Sequence, residues 1–257
     1  AQTGTTDGSG NLLTTEAGGS STFTVALNTQ PTDTVTVSIT GLDATENSLS
    51  SDTLTFTTAN WNTAQTVTIT GVDDTLLDGD ITTTLTATAN NAGGYAGTET
   101  STVTVKNTDD DTNGISIAQT GTTDGSGNLL TTEAGSTTTF TVVLDAAPTA
   151  DVTVSITGLD ATENSLSGST LSGTNTLTFN AGNWNTAQTV TVAGVDDSIV
   201  DGDITTTLTA TANSAGGYSG ESTTTTVKNT DDDSNGISIA QTGTTDGSGN
   251  LLTTEAG

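Results

Sequence analysis

Many acidic residues of this sequence cluster at three places within a stretch that is repeated further along the chain. In the first stretch they are Glu16, the segment Val72–Asp80 and the triad Asp109–Asp111. Ca²⁺ takes about six to eight oxygen ligands, and such clusters supply them without His or Cys, both of which are absent. Polar turns are the other interpretation, since Asp and Gly are common turn residues. Three successive Asp at one end of a folded unit repel one another unless a cation binds, so the pattern favours a calcium site.

Catalysis finds little support in the same residues. The chain has no His and no Cys, and its only basic residues are Lys106 and Lys228. Carboxylates are then the only ordinary general bases, and no activated nucleophile is present. A glycosidase with a pair of Asp carboxylates is the catalytic alternative, but small repeated units without elaborated loops are poor hosts for a substrate cleft. We therefore predict that the chain is not an enzyme.

The charge balance restricts the partners. Thirty Asp and Glu residues stand against two Lys and Arg, for a formal net charge of −28 at pH 7. Nucleic acids and anionic membranes bind proteins through Lys and Arg, so neither is expected as a partner. No apolar stretch approaches the roughly 20 residues of a membrane span, so membrane insertion is not expected. Because self-repulsion opposes the compact state, bound cations or high salt should belong to the native condition.

An internal repeat determines the organisation of the chain. The string AQTGTTDGSGNLLTTEAG begins at Ala1, Ala118 and Ala240, so that successive copies start 117 and 122 residues apart. This period is the size of an independent domain rather than of a solenoid unit. We predict a first repeat at residues 1–112, a second at 113–234 and the start of a third at 235–257. The second repeat carries a longer segment at Ser165–Phe179, which predicts an exposed turn.

A short apolar alternation precedes two of the three copies. Gly114–Ile117 and Gly236–Ile239 both read Gly-Ile-Ser-Ile and predict a first strand. The first copy has no such segment before it, so we expect this strand to be missing from the first repeat and the sequence to be an excerpt of a longer array.

Within each repeat, small polar residues alternate with apolar ones. This period of two predicts half-buried strands with Thr facing the solvent. Strands separated by Gly, Asp and Asn turns, with no helical stretch, indicate an antiparallel β-sandwich of about seven strands. Trp61 and Trp184 are expected to close the end of each core rather than to bind a ligand. The alternating segments of the first repeat are Thr22–Leu27, Thr34–Ile39, Thr53–Phe56, Thr66–Ile69, Thr82–Ala89 and Thr102–Val105.

These features together resemble a known family. The Glu before an alternating strand, the motif GVDDTLLDGD at residues 71–80 and the strand ending in NTDDD at residues 107–111 resemble the Calx-β repeat. The segment Asn60–Ile69 is similar to repeats of the bacterial branch. Calx-β repeats are immunoglobulin-like sandwiches of sodium–calcium exchangers and of very large bacterial surface proteins. The resemblance implies an all-β fold of tandem immunoglobulin-like antiparallel β-sandwiches, with calcium at one tip, next to the following domain.

The resemblance also implies a set of calcium ligands. In the first repeat they are Glu16, Asp43, Asp74, Asp78, Asp109, Asp110 and Asp111, with Asp73 and Asp80 as neighbours. In the second repeat they are Glu133, Asp160, Asp197, Asp201, Asp231, Asp232 and Asp233, with Asp196 and Asp203 as neighbours. Together these are 18 of the 30 acidic residues. Ile81 and Ile204 stand where calcium-binding members often carry a further Glu.

Two other loop types contain residues that could bind an ion or a glycan. The loop Asp7–Asn11 has alternate oxygens like the start of an EF-hand loop, but it lacks the Glu at the twelfth position, so a Gly-rich hairpin turn is predicted. The Gly-rich loops Asn91–Gly97 and Ser214–Gly220 are candidates for glycan binding. Sugar platforms generally use exposed aromatic residues, and the first repeat offers only Trp61 and Tyr95.

The sequence therefore predicts a structural or adhesive array in an extracellular surface or matrix fibre, of the adhesin or biofilm-matrix type. Ca²⁺ is expected to make the junctions between repeats rigid, and neighbouring repeats of the same chain are the expected partners. A glycan-binding module is one alternative. A filament subunit is another, in which strand Gly114–Gln119 of one unit completes the sheet of a second, and homopolymeric or lateral association of chains is left open.

Overall fold

Two groups of strands fill the chain, and no helix occurs in the residues that the structure covers. The computed structural model describes residues 1–255. The first group is β1 Leu12–Thr15, β2 Ser20–Val25, β3 Val35–Thr40, β4 Asn47–Leu49, β5 Thr53–Phe56, β6 Gln65–Gly71, β7 Ile81–Ala89 and β8 Thr100–Thr108. The second group is β9 Ile115–Gln119, β10 Leu129–Thr132, β11 Thr137–Leu144, β12 Val152–Thr157, β13 Asn164–Ser167, β14 Thr176–Phe179, β15 Gln188–Gly194, β16 Ile204–Ala212 and β17 Ser222–Thr230.

Each group forms two sheets around one core. The first repeat has a five-stranded sheet, β1-β8-β7-β3-β5, and a three-stranded sheet, β2-β6-β4. The second repeat has the matching five-stranded sheet, β10-β17-β16-β12-β14, and a four-stranded sheet, β13-β15-β11-β9. All strand pairs are antiparallel except β1 with β8 and β10 with β17. The prediction of an all-β fold of immunoglobulin-like sandwiches is confirmed, and the two parallel pairs qualify the predicted antiparallel pattern.

The cores follow from the alternation of residues along the strands. In β3, Val35, Val37 and Ile39 are buried at 0–5% exposure, while the residues between them face outward. Burying one such aliphatic side chain contributes about 1.5–3 kcal/mol. Both predicted core-closing Trp side chains, Trp61 and Trp184, pack against their cores.

The two repeats meet at one loop. Between β6 and β7, Leu77 N–H donates to Ala147 O at 2.9 Å, and Ala147 N–H donates to Thr75 O at 2.7 Å. The Leu77 side chain packs against the core of the second repeat. Asn113 Nδ2 adds a bond to Gly217 O at 3.2 Å. The β6–β7 loop of the first repeat therefore supplies part of the second repeat's covering.

Strand β9 distinguishes the second repeat from the first. It pairs antiparallel with β11, with Ile115 opposite Leu144 and Ile117 opposite Val142. Beside β2, the equivalent edge carries no strand in the described residues; Gln2 lies opposite Phe23, and its neighbours bond to Thr22 and Thr24. Residues 236–239, predicted as a first strand, form no strand in the described structure, because no partner strand lies beside them.

The longer segment of the second repeat forms the exposed turn that was predicted. It lies between β13 and β14, where Asn175 N–H donates to Ser172 O and Ser172 N–H donates to Thr176 O, both at 2.9 Å. Most of its residues are exposed, while Leu171 packs against the core.

Gly71 provides a test of how closely β6 approaches the β1–β2 corner. A Cβ atom there would clash with Thr15 O and lie 2.6 Å from Asn107 Oδ1, whereas one at Gly8 meets nothing within 4 Å. We expect Gly71→Ala to lower the free energy of unfolding by about 1–3 kcal/mol, as overpacking does, and Gly8→Ala to leave it nearly unchanged. Urea unfolding measures both variants, and equal midpoints for the two would contradict the packing described.

Candidate metal centre

Strand pairing brings the acidic segments of the first repeat to one end of the sandwich. β1 and β8 run parallel and end side by side, with Thr15 opposite Thr108, so Glu16 and the triad Asp109–Asp111 follow neighbouring strand ends. β7 begins at the same edge, since Ile81 lies opposite Asn107. The β6–β7 loop therefore reaches this edge as well. We call this end of each sandwich its acidic tip.

Three carboxylates of the first tip come within coordination range of one ion. Glu16, Asp109 and Asp111 each place one oxygen within 4.8 Å of the others. The Glu16 side chain is only 2% exposed. Among the residues that the structure covers, Asp111 Oδ2 and Asp78 Oδ1 are buried oxygens without a hydrogen-bond donor. Buried polar atoms normally have partners, so these oxygens indicate a ligand position.

Backbone N–H groups hold the acidic segment in place. Asp110 N–H donates to Glu16 Oε2 at 3.3 Å. Asp109 accepts two bonds of 2.7 Å, from Gly79 N–H at Oδ2 and from Asp111 N–H at Oδ1. These bonds connect the end of β1, the β6–β7 loop and the linker to the second repeat. The carboxylates are thus positioned by all three segments that converge at the tip.

The second repeat builds the same tip and shows a second group in it. Glu133, Asp197 and Asp233 form one group, and Glu163, Asp197 and Asp201 form another. Asp197 belongs to both groups, so the geometry offers two adjacent positions for cations. Asp233 Oδ2 is again buried without a hydrogen-bond partner in the described residues.

The electrostatics of the first tip follow from this crowding. Burial, together with the charges of Asp109 and Asp74, raises the pKa of Glu16 to about 7. Burial and the charge of Asp74 raise the pKa of Asp78 above its usual range. Burial and the neighbouring charge of Asp109 also raise the pKa of Asp111. In each case the charged form is disfavoured, and a bound divalent cation would reverse this effect.

Several predicted ligands lie at the tip without joining these groups. Asp80 pairs with Lys106 at 2.5 Å, and Asp203 pairs with Lys228 at 2.7 Å. The Lys106 ammonium lowers the pKa of Asp80, which is the opposite of the shift in the clustered acids. Four further predicted residues are exposed and belong to none of the three groups: Asp73, Asp110, Asp196 and Asp232.

Three more predicted ligands, Asp74, Asp43 and Asp160, accept hydrogen bonds within local turns. Asp74 Oδ1 accepts from Leu76 N–H at 2.7 Å, and its charge raises the pKa of Asp78 and Glu16. Asp43 accepts from Thr45 N–H at 3.1 Å and from Thr45 Oγ1 at 2.7 Å. Asp160 makes the corresponding bonds to Thr162. Asp43 and Asp160 are exposed, so their carboxylates chiefly close local turns.

The structure adds Glu46 and Glu163 to the candidate site. Both are buried, at 3% and 4% exposure, and Glu163 belongs to one of the acidic groups. Burial raises the pKa of Glu46, and Asp78 and Asp74 add to the effect. The signal was the segment Asp-Ala-Thr-Glu-Asn, which occurs in both repeats at residues 43–47 and 160–164. Its Asp was selected, whereas the Glu three residues later points inward.

The other loop candidate is a turn, as predicted. Asp7 Oδ1 accepts from the N–H groups of Ser9 and Asn11 at 2.9 and 2.8 Å, and Asp7 Oδ2 accepts from Asn11 Nδ2 at 2.9 Å. These bonds lower the pKa of Asp7. Both carboxylate oxygens therefore have donors within the turn itself.

Comparison with known proteins gives no family. No family model matches the sequence, and no curated protein matches it either. A solved structure of CBD12 from CALX1.2 is 15% identical, covers 86% of this chain and 96% of its own, and has a TM-score of 0.31. A protein of unknown function from Porphyromonas gingivalis W83 is 10% identical with the same coverage and TM-score. The CFA/I adhesin CfaE of enterotoxigenic E. coli is 10% identical, covers 86% of this chain and 80% of its own, and has a TM-score of 0.36.

These likenesses are weak. The TM-scores are too low to carry an argument about function, so the resemblance to the Calx-β family stays a prediction. In the described residues, no helix is long and apolar enough to cross a membrane.

Charge removal at the tip provides a test without any metal. In excess chelator at about pH 8, above the raised pKa of its carboxyl, we expect Glu16→Gln to increase the free energy of unfolding by about 1–2 kcal/mol, because a buried charge among like charges is removed. Asp80→Asn is the matched control and should give no increase, since it loses the pair with Lys106. Thermal or urea unfolding checks both. A Glu16→Gln protein less stable than the parent would contradict the repulsion described among these carboxylates.

Proposed function

We propose that this chain is a calcium-stabilised structural array in an extracellular adhesive or matrix fibre. The observation that carries the proposal is the set of buried carboxylate oxygens without donors at Asp78, Asp111 and Asp233, within tips that gather further acids. Carboxylate oxygens suit a hard cation such as Ca²⁺, and these tips contain no softer ligand. Ile81 and Ile204 do not reduce the set, since Glu46 and Glu163 supply buried carboxylates beside it.

The position of the tip supports a role in making the junction rigid. Asp74 and Asp78 flank Leu76 and Leu77 in the same loop, and Leu77 packs against the second repeat's core. Asp111 lies in the linker, four residues before β9 begins at Ile115. An ion held by these acids would restrain the docking loop and the linker at once. The partners of each repeat are then its neighbours in the chain, as the sequence predicts.

A mechanical role is favoured over glycan binding by the state of the aromatic residues. Tyr218 is 2% exposed, and its hydroxyl donates to Ala146 O at 2.9 Å. Tyr95 contacts Thr29 through its hydroxyl, at 2.9 Å to the backbone oxygen. Trp61 and Trp184 pack against the cores. These side chains contribute to the sandwiches and leave little aromatic surface for a sugar.

A non-enzymatic role agrees with the grooves of the chain. Grooves of about 310 and 340 Å³ lie along β2, and Glu99 is the acidic residue that lines the first of them. A glycosidase needs two carboxylates that flank an accessible substrate bond. The grouped carboxylates lie at the tips instead, where backbone N–H groups of the loop and the linker hold them.

Calcium binding is tested by its effect on stability. Ca²⁺ at a hundredfold excess over its Kd should stabilise each repeat by about 2.7 kcal/mol, because the native state binds the ion and the unfolded chain hardly does. Mg²⁺ should stabilise less, since it requires a strict octahedral geometry. Glu16→Gln combined with Glu133→Gln should lose most of the effect, measured by thermal unfolding and titration calorimetry.

Asp52→Asn is the control for this measurement, since Asp52 is exposed on the β4–β5 turn and belongs to no acidic group. It should keep the full calcium response. Identical melting in chelator and in millimolar-range calcium would refute the calcium proposal and leave the acids as a solvated surface.

The rigidity of the junction is tested separately by small-angle scattering of the monomeric chain. Chelation should increase the radius of gyration and the flexibility of the parent. Replacing Asp109–Asp111 by Asn should make the scattering independent of calcium, because this triad lies at the docked junction. Replacing Asp231–Asp233 by Asn is the matched control and should change melting without changing the scattering response. Equal behaviour of the two variants would contradict the proposed clamp.

A further inference from the structure

The edge of β2 is less covered than the edge of its counterpart β11. Val142 of β11 is fully buried under β9, whereas Val25, at the same position in the first repeat, is only partly buried. Ala210 is 1% exposed, and its counterpart Ala87 is partly exposed. On this side of β2, residues 1–4 bond to Thr22 and Thr24, with Ala1 N 2.7 Å from Thr24 O, and Gln2 lies opposite Phe23. No described strand pairs with Val25, Ala26 and Leu27 on this side.

The uncovered edge forms a continuous groove. Cavities of about 310 and 340 Å³ share Val25, Ala26, Asn28, Ala87 and Ser101 as lining residues. The first cavity extends to Leu27 and Tyr95, and the second extends to Phe23 and Val103. The lining therefore combines apolar side chains with polar ones such as Asn28 and Ser101, and it follows β2 over the length that β9 occupies along β11. An unpaired edge of this kind accepts an additional strand.

The chain itself contains a segment whose sequence fits the groove. Residues 236–239 have the same sequence, Gly-Ile-Ser-Ile, as residues 114–117, which lead into and form β9. In β9, Ile115 is 8% exposed and Ile117 packs against the core. Ile237 and Ile239 are 95% and 89% exposed. Two isoleucines that are covered at one site are thus left in solvent at the other.

A second exposed apolar pair lies near the same end. Ile199 and Val200, in the loop between β15 and β16, are 60% and 46% exposed. They occupy the positions of Leu76 and Leu77, which dock on the second repeat. Residues 236–239 and the β15–β16 loop are therefore both exposed, as they would be at an undocked junction.

The first repeat offers most of the surface that receives this junction. Tyr95, Gly94 and Pro31 correspond to Tyr218, Gly217 and Pro148 of the second repeat. Gln30 replaces Ala147, but the bonds that Ala147 makes to Thr75 O and Leu77 N use backbone atoms only. A Gln at this position can make the same two bonds.

We propose that residues 236–239 of one chain add as an antiparallel strand to β2 of a second chain, while Ile199 and Val200 pack beside Gly94 and Tyr95 there. The register of β9 on β11 places Ile237 opposite Leu27 and Ser238 opposite Ala26. The added strand leaves the sheet after Ile239, because Ala1 holds the next position. This contact joins two different surfaces, so it propagates head to tail into an open filament. It uses backbone bonds and apolar side chains, and so it goes beyond the calcium proposal and does not require it.

The first test is the mass of the purified 257-residue chain by light scattering and sedimentation over a range of concentrations. We expect a concentration-dependent series of oligomers of the 25.4 kDa chain. Ile237→Asp with Ile239→Asp should give a monomer with unchanged melting, since both residues are exposed in the single chain. Leu251→Asp with Leu252→Asp is the matched control, because these leucines are also exposed and lie in the same terminal segment. It should still associate.

The second test fixes the register by disulfide formation, which the absence of native Cys makes unambiguous. Chains carrying Ala26→Cys are mixed with chains carrying Ser238→Cys, because residues paired across antiparallel strands have Cα atoms about 4.5–5.5 Å apart, within reach of a disulfide. We expect at least tenfold more mixed dimer than with Ser248→Cys as the partner. A monomer at all concentrations, association that survives Ile237→Asp with Ile239→Asp, or equal crosslinking of the two Cys variants would each overturn the proposal. None of these outcomes tests the calcium proposal, which depends on the melting of the monomer with and without Ca²⁺.

Discussion

Repulsion among buried carboxylates at one end of each sandwich is the interaction on which the rest of this structure depends. Glu16 is buried and Asp109 and Asp111 are partly buried where they approach one another, so their charges are screened less than at an exposed surface. The protein has little positive charge to offset them, since Lys106 is already paired with Asp80. Backbone N–H groups of Gly79, Asp110 and Asp111 supply part of the compensation. A cation from solution supplies the rest in the proposed function.

The acidic tip of the first repeat and the junction with the second repeat share the β6–β7 loop. Its acids face the tip of their own sandwich, and Leu77 between them packs against the core of the next. In the proposed function, the three residues between Asp74 and Asp78, which include Leu76 and Leu77, would couple ion binding to docking.

The sequence predicted the strands, while the ligand set stays a prediction, and the structure arranges its members differently from one another for physical reasons. Alternating Thr and Val identified the sheets because one face of each strand must be buried. Asp43 was selected as a ligand by resemblance, but its carboxylate accepts two bonds from Thr45 and closes a turn. Glu46 was passed over, although the strand that follows carries it into the buried tip. Asp80 was included, and one of its oxygens pairs with Lys106 while the other accepts from Asp109 N–H, so it belongs to none of the acidic groups.

Identical segments separate what the sequence determines from what the tertiary structure decides. The turn Asp-Gly-Ser-Gly-Asn has the same hydrogen bonds at residues 7–11, 124–128 and 246–250, although the third copy has no sandwich around it. Its partners lie within four residues, so local chemistry is sufficient. By contrast, Leu12 and Leu129 are fully buried, while Leu251 at the same place in the string is 50% exposed. Likewise, Gly-Ile-Ser-Ile contributes to a strand beside β11 at residues 114–117 and stays unpaired at 236–239. A strand and a core side chain need a surface from elsewhere in the fold to cover them, and no property of the segment alone supplies that surface.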